Sequence, residues 1–136
     1  MPGGPKPQPT TASELPECPK WLTARQRELW RSIVPELACS VALKRCDSIG
    51  LADMVLCLDR LQQAEADIDA RGMLVQGHRG VMTKNPSVMV SRSYRESFTV
   101  WAKAFGLDLK SRMRLPKVSV QSPIDAARAR LRESVQ

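Results

Sequence analysis

Aromatic residues are scarce in this 136-residue chain: three tryptophans, two phenylalanines and one tyrosine. A core built with so few rings must rest on Leu, Val, Met and Ala, with the aromatics as isolated anchors. Histidine occurs once, as His78, and the four cysteines (Cys18, Cys39, Cys46, Cys57) show no C-x-x-C spacing. A zinc site is not expected from such a set. Reduced thiols in a cytoplasm are the plain reading, with Cys39, Cys46 and Cys57 as small core residues. No apolar run approaches the ~18–20 residues of a membrane span, so no membrane partner is expected. The N-terminal stretch MPGGPKPQPTTASELPECP lacks the apolar region of a secretory signal. G-x-x-x-x-G-K-[ST] is absent, which excludes ATP hydrolysis through a phosphate loop. No nucleophile–base pairing stands out, and no cofactor is expected.

Positive charge is what the chain has in excess. The net charge is +7, and it is unevenly spread. Residues 1–46 carry +3, residues 47–72 carry −4, and the remainder is basic again, with +4 over residues 92–116. The sum favours an anionic partner such as nucleic acid. The acidic middle points to charge pairing within or between subunits.

The pattern predicts a mainly α protein in three parts. Residues 1–19 hold six of the ten prolines and read as a flexible arm. Residues 20–116 form the helical core, and residues 117–136 a tail in which Ser122-Pro123 starts a partner-dependent helix with a stripe of Ile124, Ala127 and Leu131. In the core, Thr23 with Gln26 matches a capping box, and Leu29, Trp30, Ile33, Val34 and Leu37 form one stripe. Pro35 is expected to end or kink that helix near Val34. The link from Pro35 to Cys46 is then too long for the tight turn of a helix-turn-helix.

A second helix is predicted from about Asp47 to Arg71, closed by Gly72 and roughly 35 Å long. Leu51, Met54, Val55, Leu58, Leu61 and Ile68 recur at helical spacing along it. This seam exceeds what one partner helix can cover, so Leu51, Val55, Leu58, Leu61 and Ile68 are the expected oligomer interface. MLVQGHRGVMTK (73–84) reads as a small β-hairpin around Gly77-His78-Arg79-Gly80. That tip also has the G-x-x-G spacing of KH nucleic-acid-binding loops, although two glycines about two polar residues are what a hairpin tip needs anyway. Asn85 and Pro86 start a third helix, antiparallel to the second, with Val90, Tyr94, Phe98, Trp101 and Phe105 as its stripe and Gly106 as its stop. Helical spacing makes that stripe core packing rather than a base-stacking ladder.

After Gly106, Lys110, Arg112 and Arg114 alternate with Leu109, Met113 and Leu115. Leu107, Leu109, Met113 and Leu115 are expected to anchor this segment while its cations face outward. On the first helix, Arg25, Arg27 and Arg31 fit either a solvated face or a phosphate-contacting one.

The order of motifs resembles the small subunit of tailed-phage terminases, in the lineage of phages with cohesive-end genomes. The resemblance rests on Cys18-Pro19 and Trp21-Leu22 with Trp30 and Leu37, then Asp47, Gly72 and Lys84-Asn85-Pro86. It is completed by Phe105-Gly106-Leu107 with Ser111-Arg112 and Arg114-Leu115, and it spans about residues 16–116. The resemblance implies a non-catalytic subunit in the host cytoplasm that assembles as a ring and recognises double-stranded viral DNA. It implies further that the DNA passes to a large subunit carrying the ATPase and nuclease. The candidate DNA-binding residues are Lys20, Arg25, Arg27, Arg31, Arg79, Lys84, Lys110, Arg112 and Arg114. For Arg112 and Arg114 a bridge to Asp53, Asp59 or Asp67 of a neighbouring subunit is the rival role. A dimeric DNA-binding regulator or adaptor, or a small RNA-binding module, are the alternative functions.

Overall fold

The computed structural model describes residues 15–118 and Leu131. Helix α1 spans Ala24–Ser40 and α2 spans Ser48–Arg71. Strands β1 (Leu74–Gln76) and β2 (Met82–Lys84) make an antiparallel hairpin with Val75 opposite Thr83. Helices α3 (Pro86–Ala104) and α4 (Leu109–Arg114) follow. The expected mainly helical architecture with one small hairpin is therefore present. The first helix opens with the predicted capping box: Thr23 Oγ1 accepts from Gln26 N–H and Gln26 Oε1 from Thr23 N–H.

Helix α1 does not stop at Pro35; it runs five residues further, to Ser40. Pro35 and Arg31 are both exposed, so the carbonyl that loses its i→i+4 partner lies on the solvent side. An interior proline costs ~3 kcal/mol. Buried Trp30, Val34 and Leu37 flank it, and each fully buried side chain of this kind returns roughly 1.5–3 kcal/mol. Burial wins. The link to α2 is consequently only residues 41–47, and it is itself packed, with Val41 and Leu43 buried.

Helices α1 and α2 are antiparallel, as are α2 and α3. The core joins Leu22, Trp30, Val34 and Leu37 to Leu51, Met54 and Val55, with Phe98, Trp101 and Phe105 closing the third side. The second-helix seam is thus mostly covered within one chain. Leu51 and Val55 are wholly buried and Leu61 nearly so, which removes them as an oligomer interface; Leu58 and Ile68 are half-buried. Set against α3 alone the seam would outrun its cover, but the longer α1 supplies a second covering helix. Of the α3 stripe, Phe98, Trp101 and Phe105 pack inward as predicted, Trp101 stacked on Phe105 at 5.7 Å, but Tyr94 lines an open groove and Val90 is exposed.

The acidic run of the sequence is the frame of this bundle. Asp53 accepts from Trp101 Nε1 at 2.5 Å, and Glu65 accepts from Ser91 Oγ and from Arg95 at 2.8 Å, all on α3. Asp67 accepts from Ser87 Oγ at 2.5 Å, from Asn85 Nδ2 at 3.2 Å and from both arms of Arg71 at 2.7 Å. On the other flank Asp59, 1% exposed, accepts from Gln26 Nε2 of α1 and Gln63 Nε2, both at 3.0 Å. Its second oxygen has Arg25 Nε at 3.2 Å, an ion pair not aligned as a hydrogen bond.

The N-terminal boundary also shifts. Pro16 is buried, Cys18 packs on the core, and Glu17 C=O accepts from Ser48 Oγ at 2.7 Å. Residues 16–19 therefore belong with the helical core rather than with the arm. Of the cysteines expected inside, Cys57 is buried but Cys39 and Cys46 are exposed. The predicted tail helix, apart from exposed Leu131, lies outside the described residues, as does most of the arm.

Candidate nucleic-acid interface

The candidate cations divide into three groups. Lys20 lies in the turn before α1 and Arg25, Arg27 and Arg31 in its first half, Arg79 and Lys84 belong to the hairpin, and Lys110, Arg112 and Arg114 to α4. The hairpin continues from the C-terminal end of α2, whereas α4 packs near its N-terminal end. The two groups are therefore about 36 Å apart, the length of a 24-residue helix. One protomer does not gather the nine residues into one patch.

Their availability differs as well. Arg25 compensates buried Asp59, and Arg27 Nε donates to Leu22 C=O at 3.1 Å, steadying the entry to α1. Among the described residues, Lys20, Arg31, Arg79, Lys84, Lys110, Arg112 and Arg114 form no ion pair. The cations that do pair besides Arg25 are Arg45, Arg71, Arg92 and Arg95, none of them a candidate DNA-binding residue. Lys44, Arg60, Lys103 and Lys117 are exposed and also unpaired; their spacing in the sequence carries no signal that singles them out.

The hairpin presents its cation through an unusual backbone. Arg79 has φ 59°, the one non-glycine residue at positive φ among those described, and Gly80 follows at φ 76°. The G-x-x-G stretch caps two paired strands through Gly77 N–H→Val81 C=O at 2.7 Å. It is a hairpin tip and not a KH loop, which joins helices.

At the root of the hairpin sits Asn85, 0% exposed. Its Oδ1 accepts from Ser87 N–H and caps α3, its Nδ2 donates to Gly72 C=O at 2.9 Å and to Asp67, and its N–H donates to Met73 C=O. Sequence reading identifies the cap but not this junction of α2, hairpin and α3. The donors around Asp67, first Arg71 and then Ser87, hold its carboxyl well below the ordinary 3.8.

Helix α4 answers why a basic, half-apolar segment follows Gly106. Gly106 N–H bonds Lys103 C=O and Leu107 N–H bonds Ala102 C=O, the paired closure that needs a residue at positive φ, here 77°. Asp108 then caps α4 by accepting from Ser111 N–H; the Ser111 hydroxyl first, and that cap bond after it, lower its carboxyl below 3.8. Leu107 and Leu115 pack on the core as expected. Leu109 and Met113 do not: they are 70% and 71% exposed. A helix of six residues turns less than twice, so it cannot point four apolar side chains at one core.

The acceptors named for the rival role of Arg112 and Arg114 already have partners within the chain, although Asp53 is exposed and its Oδ1 is unengaged among the described residues. Asp59 and Asp67 are committed within the chain, and Asp53 holds Trp101. What remains at this corner is a groove of about 370 Å³ between α1 and α4, lined by Cys39, Ser40, Leu109, Arg112, Met113, Lys117 and Val118. Among the described residues no cluster of His, Cys, Asp and Glu could hold a metal ion, and no helix is long and apolar enough to cross a membrane.

Fold and surface together define a small helical scaffold that engages most carboxylates of α2 internally and leaves cations and apolar side chains exposed. The chain belongs to the phage terminase small-subunit family: the model of that family, described as phage terminase, small subunit, matches residues 27–121, well over half its length. No curated protein and no solved structure matches. The matched stretch runs from α1 through the hairpin to α4, and so includes Gly72, Asn85 and Gly106.

Proposed function

We propose that this protein acts in the host cytoplasm as the DNA-recognition and regulatory subunit of a viral packaging motor, without catalytic activity of its own. The family match carries this reading. Membership implies a role in phage DNA packaging, and with it viral DNA and a large subunit as partners. Duplex DNA meets Lys20 in the turn before α1, Arg27 and Arg31 on α1, and Arg79 and Lys84 on the hairpin, all exposed. Arg25 is reserved for Asp59. Copies assemble into a closed ring, since contacts of one head-to-tail type close or run on into filaments.

The surface left for that assembly is not the α2 seam but the exposed apolar hairpin and its surroundings, where Met73, Leu74, Val81, Met82 and Met89 all face outward. Ring assembly would also place the separate basic groups of neighbouring protomers side by side, which one chain does not achieve.

Solution mass and the salt dependence of DNA binding, measured on the same samples, test the proposal. Wild type is expected as a cyclic oligomer whose log K falls linearly with log salt concentration. Substituting Lys20, Arg27 and Arg31 by alanine should flatten the slope by roughly 0.9 for each phosphate no longer neutralised, with the mass unchanged. A monodisperse monomer, or DNA binding indifferent to salt, refutes it.

A further inference from the structure

We propose that the groove between α1 and α4 is the docking site for an acidic amphipathic helix of the large terminase subunit, an inference that rests on the function proposed above. Leu109 and Met113 are one helical turn apart and therefore share a face. Both are more than two-thirds exposed, and with exposed Cys39 they form the apolar lining of the 370 Å³ groove. Arg112 and Lys117 line the groove themselves, and Lys110 and Arg114 adjoin Leu109 and Met113 on α4; none of the four is in an ion pair among the described residues. The nearby carboxylates are Asp108, engaged as the α4 cap, and Glu36, which lines the adjoining groove with Arg112. An apolar strip with a cationic rim is complementary to a helix that carries apolar residues at i and i+3 or i+4 and carboxylates beside them.

Charge decides among the occupants. The chain's own tail is unsuited, because beyond Lys117 residues 118–136 still carry +1 and would meet the rim with like charge. A second copy offers no free acidic apolar helix: α2, the one net-acidic helix among the described residues, already buries Leu51, Met54, Val55 and Leu61 in its own core, and four of its five carboxylates, at positions 53, 59, 65 and 67, hold α1 and α3. DNA would satisfy the cations but leave Leu109 and Met113 in water. An acidic helix of another protein satisfies both. Rim cations of this kind speed encounter and make it salt-dependent, while the apolar anchors set the lifetime.

The test uses the full-length protein and the large terminase subunit encoded with it as the probe. Affinity for that subunit, affinity for duplex DNA and oligomer mass are measured on three proteins: wild type, Leu109→Ser with Met113→Ser, and Lys110→Glu with Arg114→Glu. Both exposed pairs can be changed without touching the core, and unaltered thermal melting verifies this. The apolar variant is expected to bind the large subunit at least about tenfold more weakly, with DNA affinity and mass within twofold of wild type. The charge variant is expected to bind it as weakly and to lose most of the salt dependence. Undiminished binding by both variants overturns the docking site while leaving the proposed function intact. Loss of DNA affinity or of oligomer mass in the apolar variant overturns it in favour of a nucleic-acid or copy–copy surface. A wild type that does not bind the large subunit refutes the function and the docking site together.

Discussion

Replacing Gly106 by alanine is expected to release α4 from the bundle without unfolding the bundle. Gly106 sits at φ 77°, where an L side chain costs ~1–2 kcal/mol. A Cβ there would lie 2.8 Å from Leu115 Cδ1, 3.2 Å from the Arg112 backbone and 3.3 Å from Val41 Cγ2, an overpacking that costs ~1–3 kcal/mol. Against this, α4 is held by two half-buried leucines, Leu107 and Leu115, at about 1 kcal/mol each. The Ala42 N–H→Pro116 C=O bond, 3.1 Å long, adds ~1 kcal/mol. The strain of roughly 2–5 kcal/mol is thus comparable to the ~3 kcal/mol of docking, and undocking relieves the steric part, which is enough to populate the undocked state. Hydrogen exchange read by mass spectrometry should show residues 107–116 losing protection while α2 around Leu51–Val55 keeps it. Gly80→Ala is the control: it has φ 76° but nothing within 4 Å of the added Cβ, so it incurs the backbone cost alone. Wild-type protection of residues 107–116 in Gly106→Ala would refute the reasoning.

Asp59→Ala strands the buried Gln26 Nε2 without an acceptor and is expected to lower stability by roughly 2–3 kcal/mol. Arg25→Ala leaves the buried Asp59 carboxylate without its cation and should cost a similar amount, roughly 2–3 kcal/mol, since Gln26 and Gln63 still donate to it; denaturant titration of both variants checks this. Asp67 has a folded pKa below its ordinary 3.8, so its contribution is fully present above about pH 4 and is lost as pH falls through the acid range. Thermal melts should fall steeply below pH 4 in wild type and less steeply in Asp67→Asn. A thiol reagent should modify Cys39 and Cys46 in the native protein and reach Cys57 only on unfolding, since burial and then the Asp53 charge push that thiol's pKa up; peptide mapping of the labelled protein reads the difference.

Local signals with a local cause are legible in the sequence. The Thr23–Gln26 box, Gly72 and Gly106 as helix stops, Asn85-Pro86 as a helix start and the two strands around Gly77–Gly80 each depend on a few neighbouring residues, and each stands where its local pattern places it. Pro35 is different, because its local cost competes with the burial of Trp30, Val34 and Leu37 against a helix that follows in the chain. The family, too, can be named from ordered motifs, among them the helix stops and starts at Gly72, Asn85-Pro86 and Gly106.

Tertiary structure alone decided how the charges and the apolar seam are spent. A count of −4 over residues 47–72 is the same whether the carboxylates face water, a neighbour or the chain's own α1 and α3. Which of these holds depends on distances across helices, and those bring Asp59 to Gln26 and Arg25, and Asp67 to Ser87 and Asn85. The same holds for Leu51 and Leu109, both apolar at helical spacing. Leu51 lies between α1 and α3 and is buried, whereas the six-residue α4 reaches the core on one side only and leaves Leu109 in water. Periodicity assigns a residue to a face of its helix; whether another element covers that face is settled by the packing of segments far apart in the chain.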